Sequence, residues 1–377
     1  MKKALILLFV FTMILSGSVG CGTAAAPAPS EEASSAPAAD PAESGAPPRN
    51  TSEAAAEEVH IITDMDGNQV ELPVKVERVV NTWPSSNSTM ILIGAGDLLV
   101  GTRVAMTTNE WAKLIHPEIA NTPANIENVE DLLAMDPDVL IANRVEEEWT
   151  NAGLPVVALR YSDYDTMKES MIILGDILGG EYKEKCLRWN EYVDEQIAFV
   201  TDRLKDVPDS EKPVVHYVSA HTNDGPASTG SKGSIFDAWT TIAGGVFASS
   251  LVSDLADSQQ VEITEEALLS TDPDIIVVGG MVQDEVYKEL LDNPTWADIK
   301  ALKEGKVFCS PIGVFPWCRF GMESAMQIVW AAKTFYPDRF EDVDMNQIAT
   351  DFYKEFNGIE LTGKQIENML AGLPPNA

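Results

Sequence analysis

The chain has 377 residues, a formal net charge of −33 and 45% hydrophobic residues. That acidity argues against a nucleic-acid binder, which needs a basic footprint, and it suits a solvated extracytoplasmic surface. The four cysteines (Cys21, Cys186, Cys309 and Cys318) have no paired spacing, so they give neither a disulfide framework nor a zinc signature.

Met1-Lys-Lys followed by the apolar run Ala4 to Leu15 has the charged start and short apolar core of a secretory signal over residues 1–20. The run is too short to span a bilayer, and no other stretch approaches that length. Ser18-Val-Gly-Cys21 resembles a bacterial lipobox, with Ser18 where Leu is usual. Lipidation of Cys21 is expected, with cleavage at the neighbouring small residues and a secreted protein as the alternative. Residues 21–58 are Ala, Pro, Ser and Glu with almost no large apolar side chain. Such a stretch cannot offset its ordering entropy and reads as a disordered tether, with a mean span of about 35 Å on coil scaling.

Roughly 320 residues remain, enough for two lobes. Val59 to Leu72 reads as a hairpin around Asp64-Met-Asp-Gly-Asn. Arg78 to Trp83 is a strand opening into Pro84-Ser-Ser-Asn-Ser88, and a helix then runs through Met90 to Ile93 until Gly94-Ala-Gly96 stops it. Leu98 to Thr102 is the next strand. The alternation predicts a parallel sheet in a lobe over 59–165. From Met167 to about Leu204 apolar residues recur at helical spacing, broken at Gly179-Gly180. The second part predicts a helix of about 25 residues and 35–40 Å, a rigid spacer within a linking region over 166–210. Pro213 to Ser219 opens a second lobe over 211–377 with a strand. A Gly-, Ser- and Thr-rich loop from His221 to Gly233 follows, then a helix from Ser234 to Ala243, a strand from Lys306 to Cys309, and helices to the end.

One segment occurs twice. Glu130-Asp-Leu-Leu-Ala-Met-Asp-Pro-Asp-Val-Leu-Ile141 returns as Glu266-Ala-Leu-Leu-Ser-Thr-Asp-Pro-Asp-Ile-Ile-Val277. Proline stops the helix and sets a turn, so each copy reads as helix, turn and buried strand. Asn128 and Thr264 stand where N-caps belong. Two like units imply two α/β lobes with a cleft between them, and strand C-termini should face that cleft.

Gly225-Pro-Ala-Ser-Thr-Gly230-Ser-Lys232 is not a P-loop, because Ser intervenes before Lys. It is either a source of backbone N–H groups for an anion or an ordinary connection. The four His (His60, His116, His216 and His221) lack metal-site spacing, and only His221 falls at a strand end facing the cleft. No Ser, His and Asp arrangement announces itself, which disfavours an enzyme. Gly313-Val-Phe-Pro-Trp317-Cys-Arg319 offers flat apolar faces and a fixed cation for an anionic ligand. Alternatively, its aromatic residues pack the lobe interface and Arg319 pairs with a carboxylate. Cys186 reads as packing. Cys309 and Cys318 read as buried thiols, with a bridge or a shared metal as the alternatives.

Together, Arg78-Val-Val, Ile93-Gly-Ala-Gly-Asp-Leu-Leu-Val-Gly101, the repeated units, the intervening long helix and Gly313-Val-Phe-Pro-Trp317 resemble one family over nearly all of residues 59–373. That family is the class III substrate-binding proteins of ABC importers, which carry iron–siderophore, haem and cobalamin ligands. The resemblance implies an α/β fold of two Rossmann-like lobes bridged by a long helix. It also implies that one Glu from each lobe docks onto a permease dimer in the membrane, at positions matching Glu130 and Glu266. A departure is Ser88, where many relatives are acidic.

The expectation is an extracytoplasmic, lipid-anchored, monomeric binding protein. It would capture an iron complex of the ferric siderophore kind for an ABC importer, without cofactor and without chemistry of its own. Haem, cobalamin, another metal chelate, molybdate and tungstate are the alternative cargoes. A secreted two-lobed enzyme and a sensor presenting ligand to a receptor are the rival classes. Strand-end position nominates Trp83, Asn87, Arg103, Arg144, His221, Ser234, Trp317 and Arg319 as ligand contacts. No residue set is assigned to a metal.

Overall fold

The computed structural model describes residues 58–377 except 222–226, 254, 281–282 and 295, and gives the backbone alone at 220, 221, 227 and 265. The signal, tether and Cys21 lie outside the described residues. The described residues all belong to one compact unit, Ser44–Ala377.

The chain enters through an antiparallel hairpin, β1 (Val59–Thr63) and β2 (Gln69–Pro73). Asp64 closes its turn by accepting from the Asp66 and Asn68 amides at 3.0 and 2.8 Å. Lobe 1 continues with β3 (Val79–Asn81), α1 (Pro84–Leu92), β4 (Leu99–Gly101), α2 (Val104–Thr108) and α3 (Glu110–Ile115). It closes with α4 (Val129–Ala134), β5 (Val139–Ala142), α5 (Glu147–Asn151) and β6 (Val156–Ala158). Pro84-Ser-Ser-Asn-Ser88 is the first part of α1 rather than a preceding loop. Proline at N1 starts the helix because its missing N–H would have had no partner there.

Helices α6 (Tyr164–Leu178) and α7 (Gly180–Leu204) then link the lobes. They meet at Gly179 and Gly180, whose φ of +65° and +50° favour glycine. The 25 residues of α7 span about 37 Å at 1.5 Å each. Its buried Cys186, Trp189, Val193, Val200 and Leu204 fall on one stripe.

Lobe 2 holds β7 (Val214–Val218), β8 (Ala220–His221), β9 (Ala227–Thr229), α8 (Ile235–Ile242), β10 (Val246–Phe247) and β11 (Val261–Ile263). It continues with α9 (Glu265–Thr271), β12 (Ile275–Val278), α10 (Gln283–Asp292), α11 (Lys300–Lys303) and β13 (Val307–Cys309). Helices α12 (Ser324–Phe335), α13 (Met345–Phe356) and α14 (Gly363–Leu370) end the chain. The stretch read as a plain loop before α8 contains β8 and β9, which join β11 in a small antiparallel sheet. Its Gly, Ser and Thr content hides the strands, because their partner lies some thirty residues on.

The two principal sheets share one plan. Their orders are β4-β3-β5-β6 and β10-β7-β12-β13, parallel throughout. Central strands β5 and β12 are buried at every position, as helices on both faces require. The repeated segment explains the likeness. Asn128 and Thr264 cap α4 and α9 by accepting from the Asp131 and Ala267 amides. Asp136 and Asp272 then take left-handed φ values of 45° and 38° ahead of the prolines. The next aspartates anchor the neighbouring central strand. Asp138 accepts from the Glu77 and Arg78 amides at 2.8 and 2.9 Å, and Asp274 accepts from the Val214 amide at 2.8 Å. Each also donates its own amide back, to the Arg78 and Val214 carbonyls respectively.

One large core runs from the inner face of the lobe 1 sheet through α6 and α7 to α8, α12 and α13, and a smaller cluster fills the other face of each sheet. The spacer is thus packed into both lobes. The Trp189 indole donates to the Met322 carbonyl at 2.9 Å, and the Tyr164 hydroxyl to the Ser324 carbonyl at 2.9 Å. Cys186, Cys309 and Cys318 are free thiols, and Cys186 and Cys318 are buried.

Candidate functional site

The strand order reverses beside β3 in lobe 1 and beside β7 in lobe 2, and loops leaving such points form a crevice. In lobe 1 the backbone there is held by a buried amide network. Asn81 accepts from the Trp83 amide at 3.0 Å and donates to Ser86 at 3.0 Å. Asn87 donates to the Asn81 and Trp83 carbonyls at 2.8 and 2.9 Å and accepts from Thr102 at 2.7 Å. Trp83 is thereby projected from the start of α1, with its ring 4.3 Å from that of Tyr161. Tyr161 in turn meets Phe320 of lobe 2 edge-on at 6.3 Å. The Ser85 hydroxyl donates to the Phe320 carbonyl, which ties the lobes at this point.

Between these groups lies a cavity of about 130 Å3 lined by Trp83, Ser85, Ile235, Phe236, Gln259, Gln260, Phe315, Arg319 and Phe320. Four of its walls are aromatic. Phe236 is set by stacking on Tyr217, with centroids 3.9 Å apart and planes 14° from parallel. The amino end of α8 contributes Ile235 and Phe236, so its helix dipole places partial positive charge at the cavity.

Arg319 is mostly buried, and its Nε has no hydrogen-bond partner among the described residues. Among the described residues the groups acting on it are Tyr217 and Cys318, with no carboxylate. Burial raises the pKa of both, that of Tyr217 well above its ordinary value, so neither supplies a negative charge at neutral pH. Buried cations are ordinarily paired, because losing water without a counter-charge is costly. The arrangement can therefore hold an anion small enough for the space.

The wall carrying Phe315 is fixed from behind by Glu323, which is fully buried at the start of α12. Its carboxylate accepts from the Val314 and Phe315 amides at 2.9 and 2.8 Å and from the Tyr353 hydroxyl. The Trp317 indole favours the charged form at a geometry short of a hydrogen bond. Burial outweighs these partners and pushes the pKa up to about 7. Gly313 is required beside it, since a Cβ there would overlap both Glu323 Oε1 and the Tyr353 hydroxyl.

Of the residues nominated from sequence, Trp83 and Arg319 meet in the cavity. Ser234 caps α8 next to it, but its side chain is buried and accepts from the Asp237 amide. Asn87 and Trp317 are fully buried. Asn87 spends its amide on the strand-end network, and Trp317 belongs to the core behind the cavity. Arg103 and Arg144 stand elsewhere. Arg103 donates to the Thr82 carbonyl at 3.0 Å and lines an acidic groove with Glu127 and Glu146, while the exposed Arg144 pairs with Glu146 at 2.6 Å. The His221 side chain lies outside the described residues. Sequence reasoning missed Phe236, Gln259, Gln260 and Phe320, and no local signal marks the two glutamines. A larger groove of about 610 Å3 between α3 and α10 includes Glu110, Asp284 and Glu285 in its lining. Those carboxylates repel an anion. Among the described residues no group of three or more His, Cys, Asp or Glu side chains is placed to hold a metal ion.

The family described as periplasmic binding protein matches residues 79–311, and the chain belongs to it. It is 28% identical over 332 residues to the molybdate-binding protein MolA of Haemophilus influenzae, covering 78% of this chain and 90% of that protein. Among solved structures it resembles MolA with molybdate bound (TM-score 0.70, 23% identity, 80% of this chain and 99% of that one). A periplasmic solute-binding protein from Veillonella parvula is similarly close (TM-score 0.70, 21% identity, 85% and 99%). The two lobes and spacer are thus the class III binding-protein fold. The protein is an extracytoplasmic substrate-binding protein of an ABC importer, in a family of solute binders rather than enzymes. Such proteins bind small ligands and engage membrane permeases. Among the described residues no helix is long and apolar enough to cross a membrane.

Proposed function

We propose that the chain captures a small oxyanion of the molybdate kind between its lobes and delivers it to its permease. The observation that carries this reading is Arg319, a mostly buried guanidinium that has no carboxylate partner among the described residues, beside a cavity of about 130 Å3. At ~30 Å3 per liquid water the space is on the order of a few waters, the scale of a four-oxygen anion. Sites for drug-sized ligands run to about 300–1,000 Å3. The α8 dipole and the similarity to a molybdate-binding relative point the same way.

A second reading is a ferric chelate or another bulky complex, favoured by the aromatic walls Trp83, Phe236, Phe315 and Phe320. It requires the lobes to part by more than the cavity now allows. On either reading Glu130 and Glu266 dock onto the permease. Both are exposed in the first turns of α4 and α9, and a carboxylate there is favoured by the helix dipole. A lipid on Cys21 would hold the protein at the membrane.

The test is a tryptophan-fluorescence titration of the purified protein with molybdate, a ferric hydroxamate, haem and cobalamin. Saturable molybdate binding, weakened about tenfold to a hundredfold in Arg319→Ala, is expected, since a charged hydrogen bond contributes roughly 1.5–3 kcal/mol. Saturation by a ferric chelate alone would hand the site to the second reading. Molybdate binding indifferent to Arg319→Ala would remove the anchor.

A further inference from the structure

One donor at the amino end of α8 is already occupied from within the chain. The Ile235 amide, at the first position of the helix, donates to Gln259 Oε1 at 3.0 Å. The same side chain donates through Nε2 to the Ser162 carbonyl at 3.2 Å, just ahead of α6. The two contacts set the orientation of the carboxamide, because the reverse would face its NH2 to a backbone N–H. Both Gln259 and Ile235 line the cavity. One glutamine thus crosses from the α8 end of lobe 2 to the segment that leaves lobe 1.

Its backbone cannot readily follow a moving side chain. The preceding Ser258 is clamped to Ser231. The Ser231 amide and hydroxyl donate to the Ser258 carbonyl at 3.2 and 3.0 Å, and the Ser258 amide donates to the Ser231 hydroxyl at 2.9 Å. The following Gln260 donates its amide N–H to the Ser258 hydroxyl at 3.3 Å and its side-chain Nε2 to the Ser228 hydroxyl at 2.8 Å. Only the Gln259 side chain is left to swing, and swinging it breaks both of its bonds together. A neutral carboxamide oxygen on a helix-terminal N–H is also a weaker acceptor than an anionic oxygen in the same place. Asp237 does not compete for the Ile235 amide, since its carboxylate is taken by the Gly233 amide and the Thr241 hydroxyl.

We propose that Gln259 is a displaceable latch: its carbonyl stands in for a ligand oxygen on the Ile235 amide while its amide clasps Ser162, so that oxyanion entry and the latch compete. This rests on the oxyanion reading for the identity of the competitor, but the clasp between lobe 2 and Ser162 holds without any ligand. Gln259 therefore sets a threshold. A ligand lacking an oxygen able to replace the carboxamide leaves the latch shut, and competition with the latch lowers the apparent affinity for one that can replace it.

The experiment compares the full-length protein with Gln259→Ala and with Gln259→Asn, whose side chain is one methylene too short to reach both partners. Two readouts are taken: hydrogen exchange at the Ile235 amide, with and without sodium molybdate, and molybdate affinity by titration. Without ligand, both variants should exchange the Ile235 amide about tenfold faster or more, and molybdate should restore protection. Molybdate affinity should rise, on the order of threefold to tenfold, because the competing occupant is gone. Unchanged Ile235 exchange in the ligand-free variants would overturn the latch, whatever the protein binds. Weaker molybdate binding in the variants would overturn it as well, making Gln259 a ligand contact. Failure of the unaltered protein to bind molybdate would sink the oxyanion reading, while the ligand-free exchange still decides the latch.

Discussion

Replacing Glu323 by Gln tests how the cavity wall is held, and the size of the effect follows from burial. The carboxyl is fully buried, and burial raises its pKa from 4.5 to about 7 against the pull of Tyr353 and the Phe315 and Val314 amides. Because the folded value lies above the unfolded one, the folded state holds the proton more tightly. The stabilisation from this group is complete below pH 4.5 and disappears as pH climbs through about 7. At about 1.4 kcal/mol per pH unit, the unaltered protein should lose roughly 2–3 kcal/mol through Glu323 between about pH 5 and pH 8. Glu323→Gln keeps the shape and cannot titrate. Its NH2 must face a backbone donor, so its stability starts lower by about 1–3 kcal/mol at acid pH. The assay is urea unfolding of both proteins across that pH range. The gap between them should shrink as pH rises. Parallel pH profiles would refute the reasoning, since they would mean that Glu323 does not change protonation differently in the folded and unfolded states.

Two further outcomes follow from the repeated segment. Asp138→Ala and Asp274→Ala should each lower the unfolding free energy by roughly 1–3 kcal/mol, because the first leaves the Glu77 and Arg78 amides ahead of β3, and the second the Val214 amide of β7, without that acceptor; equilibrium denaturation measures this, and no loss in either would remove the anchoring role. Glu130→Ala combined with Glu266→Ala should leave ligand affinity unchanged while abolishing ligand-stimulated ATP hydrolysis by the reconstituted importer. Full stimulation by the double variant would assign docking to other residues.

The cavity assembles from residues far apart in the chain, which explains why only part of it was legible beforehand. Arg319 stood out because it follows a strand in a stretch dense with aromatic residues. Arg103 and Arg144 satisfied the same strand-end criterion, yet the fold turns Arg103 to an acidic groove and leaves Arg144 exposed on Glu146. Trp317 looked like a ligand face and is core, while its neighbours Phe315 and Phe320 form the walls. A bend between β13 and α12 decides which aromatic residue turns inward, and the Glu323 carboxylate that fixes this bend acts across eight or nine residues. Gln259 carried no local mark at all, because its meaning lies in two partners 24 and 97 residues away.

By itself the sequence determined what short-range chemistry can dictate. Asn128 and Thr264 cap their helices, proline ends them, and Gly179-Gly180 separates α6 from a 25-residue α7. The duplicated Asp-Pro-Asp unit announces two lobes of one plan. Such signals act within a few residues, through backbone sterics and hydrogen bonds that need no distant partner. The tertiary structure alone decided which strand ends face one another. It left Arg319 without a carboxylate among the described residues and set Gln259 between Ile235 and Ser162. Those outcomes depend on packing two sheets about a shared spacer, and the position of one side chain in that packing depends on all the others.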